Sequence, residues 1–308
     1  MEVIPKNEVL QTRAETLDFL RKQYNLDKKI IHESINLLEE WLKKQQHFVD
    51  KDLGSEYLER ALILAKGSVE KVKKKLDRLC TYRTLLPKYF EQFDADICRD
   101  SKYVIDGLLP KLTSDHYRVY FLKMVGGKPD DLQNYYRWCT AMFEYLHTYD
   151  YCSGLIVIFD YTEADVLDIV KRTDIVDVHN LIRILVEGFG VRLKGFHIVS
   201  DSKVMNIVVS FFRQAASAKI AHRVTSHKDF DSIFQIVPKE ILPAEYGGNC
   251  KSIHELHLDW VNVLSSPKFS AHLQKMKSMC TNEDLRQKDT FNNECMGMPG
   301  TFRTLCLD

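Results

Sequence analysis

The sequence predicts an α/β fold in which a helical N-terminal segment precedes a domain of alternating strands and helices. Two observations lead to this prediction. Up to about residue 95, apolar residues recur at three- and four-residue steps between Lys and Glu, as they do on amphipathic helices. Beyond that point, short runs rich in Val, Ile and Phe are bounded by Gly and Asp and alternate with helical stretches, which is typical of a largely parallel sheet.

The N-terminal helices are predicted from three stretches, LDFLRKQY, KIIHESINLLEEWLKKQQ and GSVEKVKKKLDRLCTYRTLL. Ser68 follows Gly67 and is expected to begin the third of these helices, because serine favours helix N-termini. Pro87 is expected near the end of the same helix, because a proline disfavours helical backbone in the residue before it.

The strands of the second domain are predicted at 119–125 (VYFLKMV), 154–160 (GLIVIFD) and 195–200 (GFHIVS). The middle run is apolar from Leu155 to Phe159, as expected of a strand that is covered on both faces. Helices are predicted between the strands, at 131–147 and 175–187.

One further amphipathic helix is predicted at 202–215. Its apolar residues follow steps of three, one, three, one and three; they are Val204, Ile207, Val208, Phe211, Phe212 and Ala215. On local grounds this face is part of the core, with a movable gate as the alternative. The segment after Trp260 is polar and is predicted to be irregular.

Composition excludes several classes of function. The chain has 308 residues, with 43 Lys plus Arg against 43 Asp plus Glu, so no net charge attracts nucleic acid and no nucleic-acid partner is predicted. The N-terminus lacks the apolar core of a signal peptide, and no apolar run approaches the roughly 18 residues of a membrane span. The eight cysteines form no CxxC pair, which favours a cytosolic protein with reduced thiols and without a metal or cofactor.

Motifs for catalysis or nucleotide binding are weak. GFGVRLKG, at 188–195, begins like a dinucleotide loop, but its glycines follow a helix and precede a strand. HELH, at 254–257, has the wrong His spacing for a zinc peptidase and is interpreted as a surface helix pair. Asp160 is interpreted as a capping or sheet-end acid rather than a catalytic one. The run KVKKK, at 71–75, is interpreted as a solvated helix face, with a phosphate or membrane patch as the alternative.

The order of four segments resembles the CRAL-TRIO lipid-binding family, and most closely its insect α-tocopherol transfer protein-like members. The segments are GSVEKVKKKLDRLCTYRTLLPKYF, GLIVIFD, GVRLKGFHIVSDSKVMNIVVSFFR and IVPKEILPAEYGG. The resemblance runs from about Phe19 to the closing GTFRTLCLD. It implies a helical domain at 1–95, a CRAL-TRIO domain at 96–260 that encloses an apolar pocket under a lid helix at 202–215, and a C-terminal tail at 261–308 packed on that domain.

The resemblance also assigns a role to the loop LPAEYGG, which is structural in the family. Gly247 and Gly248 are expected to adopt backbone geometry that is closed to other residues. Pro243 is expected to hold Leu242 in an extended conformation.

Site residues are likewise implied by the resemblance. The pocket wall would comprise Trp138, Met142, Phe159, Leu181, Ile184, Leu185, Phe189 and Phe196, with Val208, Phe211 and Phe212 from the lid. A basic cleft for phosphoinositide head groups would comprise Arg83, Arg192, Lys194, Lys219 and Arg223.

The function implied by the resemblance is that of a non-enzymatic cytoplasmic carrier. It would hold one hydrophobic lipid, such as tocopherol, a retinoid, a carotenoid or another isoprenoid, and release it when the lid opens at a phosphoinositide-containing membrane, with which it would associate peripherally and transiently. Two alternatives remain open. One is a phosphoinositide sensor or exchanger; the other is an α/β enzyme acting on a hydrophobic substrate, for which the sequence offers no recognisable nucleophile or cofactor motif.

Overall fold

The N-terminal part of the protein is helical, as predicted. The computed structural model describes residues 7–126 and 131–286. Its first four helices are α1 (Thr16–Gln23), α2 (Lys28–Lys44), α3 (Ser55–Leu64) and α4 (Val69–Leu85). The hydroxyl of Ser68 accepts a hydrogen bond from the amide of Lys71, which confirms the predicted start of α4. Pro87 begins a single 3₁₀ turn directly after that helix.

These helices bury a core of their own. Leu20, Leu38, Leu58 and Leu62 are almost fully buried in it. Met276 and Met279, from near the C-terminal end of the described chain, pack into the same cluster. Amphipathic faces that were visible in the sequence are therefore buried against one another and against the last helix.

The second part is built on a five-stranded sheet in the order β1-β2-β3-β4-β5. The strands are β1 (Val104–Leu108), β2 (Tyr117–Met124), β3 (Gly154–Asp160), β4 (Leu193–Val199) and β5 (Val224–His227). Only β1 runs antiparallel to its neighbour; the other three pairings are parallel, with Val119 opposite Ile156 and Phe196 opposite Val224. The α/β class and the largely parallel sheet are confirmed, while the edge strands β1 and β5 were not predicted.

Helices precede and separate these strands along the chain. They are α5 (Ala95–Arg99), α6 (Leu132–Tyr149), α7 (Val166–Arg172), α8 (Ile175–Arg183), α9 (Met205–Ala215) and α10 (Ala218–Ala221). Helix α8 continues into one wider π-helical turn, Ile184–Gly188, so the predicted helix at 175–187 is present in two forms. Helix α9 corresponds to the amphipathic segment predicted at 202–215 and begins three residues later.

The prediction of an irregular segment after Trp260 is wrong. Helix α11 (Ile253–Leu264) runs through it, and α12 (Pro267–Ser278) follows. Ser252 and Glu255 form a capping box at the start of α11, and Ser266 followed by a proline starts α12. Both capping patterns are present in the sequence, but the prediction for this segment was based on its polar composition instead. The closing GTFRTLCLD lies outside the described residues.

The LPAEYGG loop is structural, as expected. Leu242 is extended, with φ −77° and ψ 163°, and Gly247 has φ +73°. A Cβ on Gly248 would lie 1.9 Å from the carbonyl oxygen of Leu242, so only glycine fits there. The hydroxyl of Tyr246 donates a hydrogen bond to Asp160 at the end of β3. The loop is therefore fastened to the sheet, and Asp160 serves as a sheet-end acceptor.

Candidate functional site: an apolar cavity and a cluster of cations

An apolar cavity of about 170 Å³ lies between one face of the sheet and helices α6, α8 and α9. Its wall follows from the alternation of strand side chains. On β3, Val157 and Phe159 face the cavity, whereas Ile156 and Ile158 belong to the core on the opposite face of the sheet. The interior of the domain is therefore apolar on both sides of β3, and the cavity lies on the side of Val157 and Phe159.

Helix α9 covers the cavity. Val208, Phe211 and Phe212 lie on its cavity side. The ring of Phe212 packs edge-on against Phe196, with centroids 4.9 Å apart, and against Phe159 at 5.7 Å. The C-terminal end of α9 is held by the imidazole of His179, whose Nδ1 lies 2.8 Å from the carbonyl oxygen of Ala215.

Seven of the eleven residues assigned to the pocket wall line this cavity. They are Phe159, Leu181, Leu185, Phe196, Val208, Phe211 and Phe212. The other four, Trp138, Met142, Ile184 and Phe189, are buried but do not line it.

The phase of helix α6 explains two of these misplacements. Its cavity side carries Tyr135, Cys139 and Phe143, at steps of four. Trp138 and Met142 lie on the neighbouring side, and the indole of Trp138 packs against the edge of the sheet instead. Because α6 is buried on most of its circumference, its apolar pattern did not reveal which side faces the hollow.

Arg83 is a correction to the predicted basic cleft. Its side chain is only 3% exposed, and its Nη2 lies 2.7 Å from Oε2 of the equally buried Glu144. Its Nη1 donates a hydrogen bond to the carbonyl of Met279 at 3.1 Å. Burial alone would raise the pKa of Glu144, but Arg83, His272 and His147 outweigh burial and lower that pKa to about 2. Arg83 is thus the partner of a core carboxylate rather than a surface phosphate contact.

Arg192 and Lys219 lie within electrostatic range of Lys75. Lys75 and Lys71, which also acts on it, belong to the KVKKK run that was interpreted as a solvated helix face. Burial and the positive charges of Arg192, Lys71 and Lys219 lower the pKa of Lys75 to about 8. The ammonium of Lys75 donates to the carbonyl of Gly190 at 3.1 Å. A Cβ at position 190 would lie 2.5 Å from that ammonium, so the glycine leaves the space that Lys75 occupies. We call Lys71, Lys75, Arg192 and Lys219 the basic cluster.

The last two predicted cations lie near β4 and β5. The ammonium of Lys194 lies 3.2 Å from the hydroxyl of Tyr117 and 4.6 Å from the centroid of its ring. Arg223 directly precedes β5 and is half-buried. In the described parts of the chain, no group of three His, Cys, Asp or Glu side chains is arranged to hold a metal ion. None of the helices in these parts is both long and apolar enough to cross a membrane.

Comparison with known proteins agrees with this architecture. Residues 107–248 match the family model of the CRAL/TRIO domain. The chain is therefore similar to CRAL/TRIO domains over a little less than half of its length. The matched range begins near the end of β1 and ends at Gly248 of the LPAEYGG loop, so it includes β2 to β5 and α9. CRAL/TRIO proteins bind and transfer lipids.

Two relatives and one solved structure are similar to parts of the chain. An α-tocopherol transfer protein-like protein of Mus musculus is 26% identical over 131 residues, which are 42% of this chain and 38% of the mouse protein. The protein of the same description from Homo sapiens is 28% identical over 118 residues, which are 38% of this chain and 34% of the human protein. The matches therefore span little more than a third of these relatives. The crystal structure of Sfh5 superposes with a TM-score of 0.49 and 13% identity, covering 86% of this chain and 98% of that one.

Proposed function

We propose that this protein is a carrier that holds one hydrophobic lipid in the cavity and passes it between membranes when helix α9 opens. The observation that carries the proposal is the almost wholly apolar cavity beneath α9 in a chain similar to CRAL/TRIO domains. Burial of hydrocarbon contributes about 25 cal/mol per Å². A tocopherol, retinoid, carotenoid or other isoprenoid would therefore need few polar contacts, and the cavity of about 170 Å³ would have to widen to admit it. The proposed cycle involves no covalent chemistry.

The lid is supported by its own composition. Its inner side is apolar, while Ile207 on its outer side is 46% exposed. Val176 on α8 and Leu167 on α7 are exposed apolar residues on the two helices that pack against α9. Exposed apolar side chains around a lid suit contact with the boundary region of a bilayer. In this proposal residues 96–260 form the lipid-binding domain, 1–95 the helical domain and 261–308 a packed tail, and the protein is cytoplasmic with transient peripheral binding to membranes.

The carrier proposal is tested by identifying the lipid that the protein retains. The purified protein is extracted with organic solvent, and the released lipid is identified and quantified by mass spectrometry. Val157→Trp, which places an indole in the cavity from β3, is the matched variant, and Phe234→Trp on the opposite face of the sheet is its control. We expect one apolar lipid per protein in the wild type and in the control, and its loss from Val157→Trp. Equal retention by Val157→Trp would contradict the proposal.

The membrane partner in this proposal carries phosphoinositide. The basic cluster supports it, because Arg192, Lys71 and Lys219 are close enough to Lys75 to lower its pKa, and lysine and arginine side chains are the usual partners of phosphate. Arg223 and Lys194 extend the positive charge toward β4 and β5. Replacing Arg192 and Arg223 together by Ala should reduce lipid transfer to vesicles that contain phosphatidylinositol phosphates and leave lipid binding unchanged. Unchanged transfer would refute the membrane partner.

The same cluster favours one alternative function, a phosphoinositide sensor or exchanger. That function requires polar groups for a head group inside the cavity as well as outside it. The extraction experiment separates the two proposals, because recovery of phosphatidylinositol in place of an apolar lipid would favour the exchanger.

A further inference from the structure

The cavity wall contains a pair of neighbouring tyrosine hydroxyls where α6 faces β2. Tyr120 of β2 and Tyr135 of α6 both line the cavity, and their hydroxyl oxygens lie 3.0 Å apart. The hydroxyl of Tyr120 also donates a hydrogen bond to the carboxylate of Asp106 on β1. A chain of hydroxyls therefore connects the cavity to a buried carboxylate behind its wall.

Asp106 is held as an acceptor from several directions. Its side chain is fully buried. The indole Nε1 of Trp138 donates to Oδ1 at 2.9 Å, and Nδ1 of His257 lies 3.2 Å from the same oxygen. The other ring nitrogen of His257 lies 2.9 Å from the carbonyl oxygen of Cys98. Burial lowers the pKa of His257, but its hydrogen bonds to Asp106 and Cys98 outweigh burial and raise that pKa.

The protons of the two tyrosines decide which hydroxyl oxygen is left to accept a hydrogen bond from a ligand. Burial raises the pKa of Tyr120 and of Tyr135 well above the ordinary value, so each keeps its single proton. The proton of Tyr120 is donated to Asp106, which leaves its oxygen able only to accept. Tyr135 has two neighbours that can take its proton, the oxygen of Tyr120 at 3.0 Å and the thiol of Cys139, and in either case its own oxygen is left as an acceptor.

We propose that the Asp106–Tyr120–Tyr135 relay is the anchor for the polar end of the lipid, and that it selects an alcohol or phenol over an ether, aldehyde or ketone of the same skeleton. A hydroxyl can donate to Tyr135, whereas an ether or carbonyl oxygen would meet another acceptor. Sites built to hydrogen-bond a hydroxyl discriminate against analogues that lack it. This inference rests on the proposed carrier function and adds the chemical class of its cargo. Trp138 and His257 act as positioning residues, because they fix the carboxylate and do not line the cavity.

The experiment is a competition for the cavity. The protein is incubated with equal amounts of all-trans-retinol, retinyl methyl ether, α-tocopherol and α-tocopherol methyl ether, and the bound lipids are recovered and quantified. A single neutral hydrogen bond corresponds to a preference of about 3- to 12-fold, so the wild type should be enriched in the hydroxylated member of the pair that it binds by that factor. Tyr135→Phe should bring the ratio close to one, and Tyr120→Phe should reduce it.

The control variant is Tyr161→Phe. Tyr161 is another buried tyrosine on the cavity wall, on the segment that follows β3. It should keep the hydroxyl preference of the wild type. A ratio that is equal in wild type and Tyr135→Phe, or a wild-type preference for the ether, would overturn the anchor while the retained lipid still supported the carrier. Retention of none of the four lipids by the wild type would count against the carrier function, and the anchor would fall with it.

Discussion

Phe212→Ala should loosen the lid and speed lipid release. The side chain of Phe212 closes the cavity by two edge-on contacts, to Phe196 at 4.9 Å and to Phe159 at 5.7 Å. Such ring pairs contribute about 0.5–1.5 kcal/mol each beyond the area that they bury. Their loss should therefore destabilise the closed lid by about 1–3 kcal/mol, which shifts the ratio of closed to open lid by roughly 5- to 150-fold. The hydrogen bond between His179 and Ala215 remains, so α9 keeps its C-terminal attachment.

The assay is the transfer of all-trans-retinol from the protein to phosphatidylcholine vesicles that carry an energy acceptor, followed by retinol fluorescence in a stopped-flow instrument. We expect faster transfer and weaker equilibrium binding for Phe212→Ala. Phe234→Ala is the control. Phe234 packs against Phe230 on the other face of the sheet, so this substitution removes a similar ring without changing the cavity. A transfer rate for Phe212→Ala that is no higher than that of Phe234→Ala would refute the gating role of α9.

Three further predictions concern charged groups. Arg83→Met should lower the free energy of unfolding by about 3–5 kcal/mol in urea titrations, because Glu144 would stay buried without its arginine partner. The double variant Arg83→Met/Glu144→Met should recover much of that loss. A loss below about 1 kcal/mol for the single variant would contradict the ion pair. In the wild type, Glu144 has a pKa of about 2 in the folded protein and about 4.5 in the unfolded chain, so its ionised form stabilises the fold above pH 4.5. This stabilisation should be lost as the pH falls from about 4.5 toward 2. In acid titrations of the double variant, this pH-dependent loss of stability should be absent. Lys75 has a lowered pKa of about 8, and a bound phosphate favours its charged form. Co-sedimentation of the wild type with phosphoinositide vesicles should therefore weaken between about pH 7 and pH 9, whereas that of Lys75→Arg should not. Equal pH dependence in both proteins would refute the role of Lys75.

The strands buried on both faces could be predicted from the sequence because their composition is unambiguous. GLIVIFD predicted β3 with its observed bounds, since a short continuous apolar run between Gly and Asp is typical of a strand covered on both faces. Strand β1 could not be found in this way. It is five residues long and contains Asp106 and Gly107, and its acid is compatible with a strand only because Trp138, Tyr120 and His257 satisfy it. The sequence places those partners up to 151 positions away.

Side chains whose roles depend on distant partners were the hardest to place. Arg83 and Lys75 lie on the same helix, and sequence spacing marks both as cations on an amphipathic surface. Arg83 meets Glu144 in the core, whereas Lys75 meets the carbonyl of Gly190 and two more cations from other elements. The phosphate-patch interpretation of the KVKKK run, kept as the alternative to a solvated face, stays a prediction.

The basic cluster and the cavity are joined at two points in the chain. Arg192 of the cluster follows Val191, which lines the cavity, and Lys219 precedes Ile220, which lines it as well. Helix α9 leads directly into the short helix that carries Lys219 and Ile220. In the proposed cycle, an anion bound by the basic cluster would therefore exert a force on the C-terminal end of α9. The opposing anchor point is Lys75 on helix α4, which packs in the N-terminal helical layer. In the proposed transfer cycle, phosphate binding would relieve the repulsion between Lys75 and the other cations of the cluster, and it would act on the two chain segments that also line the cavity.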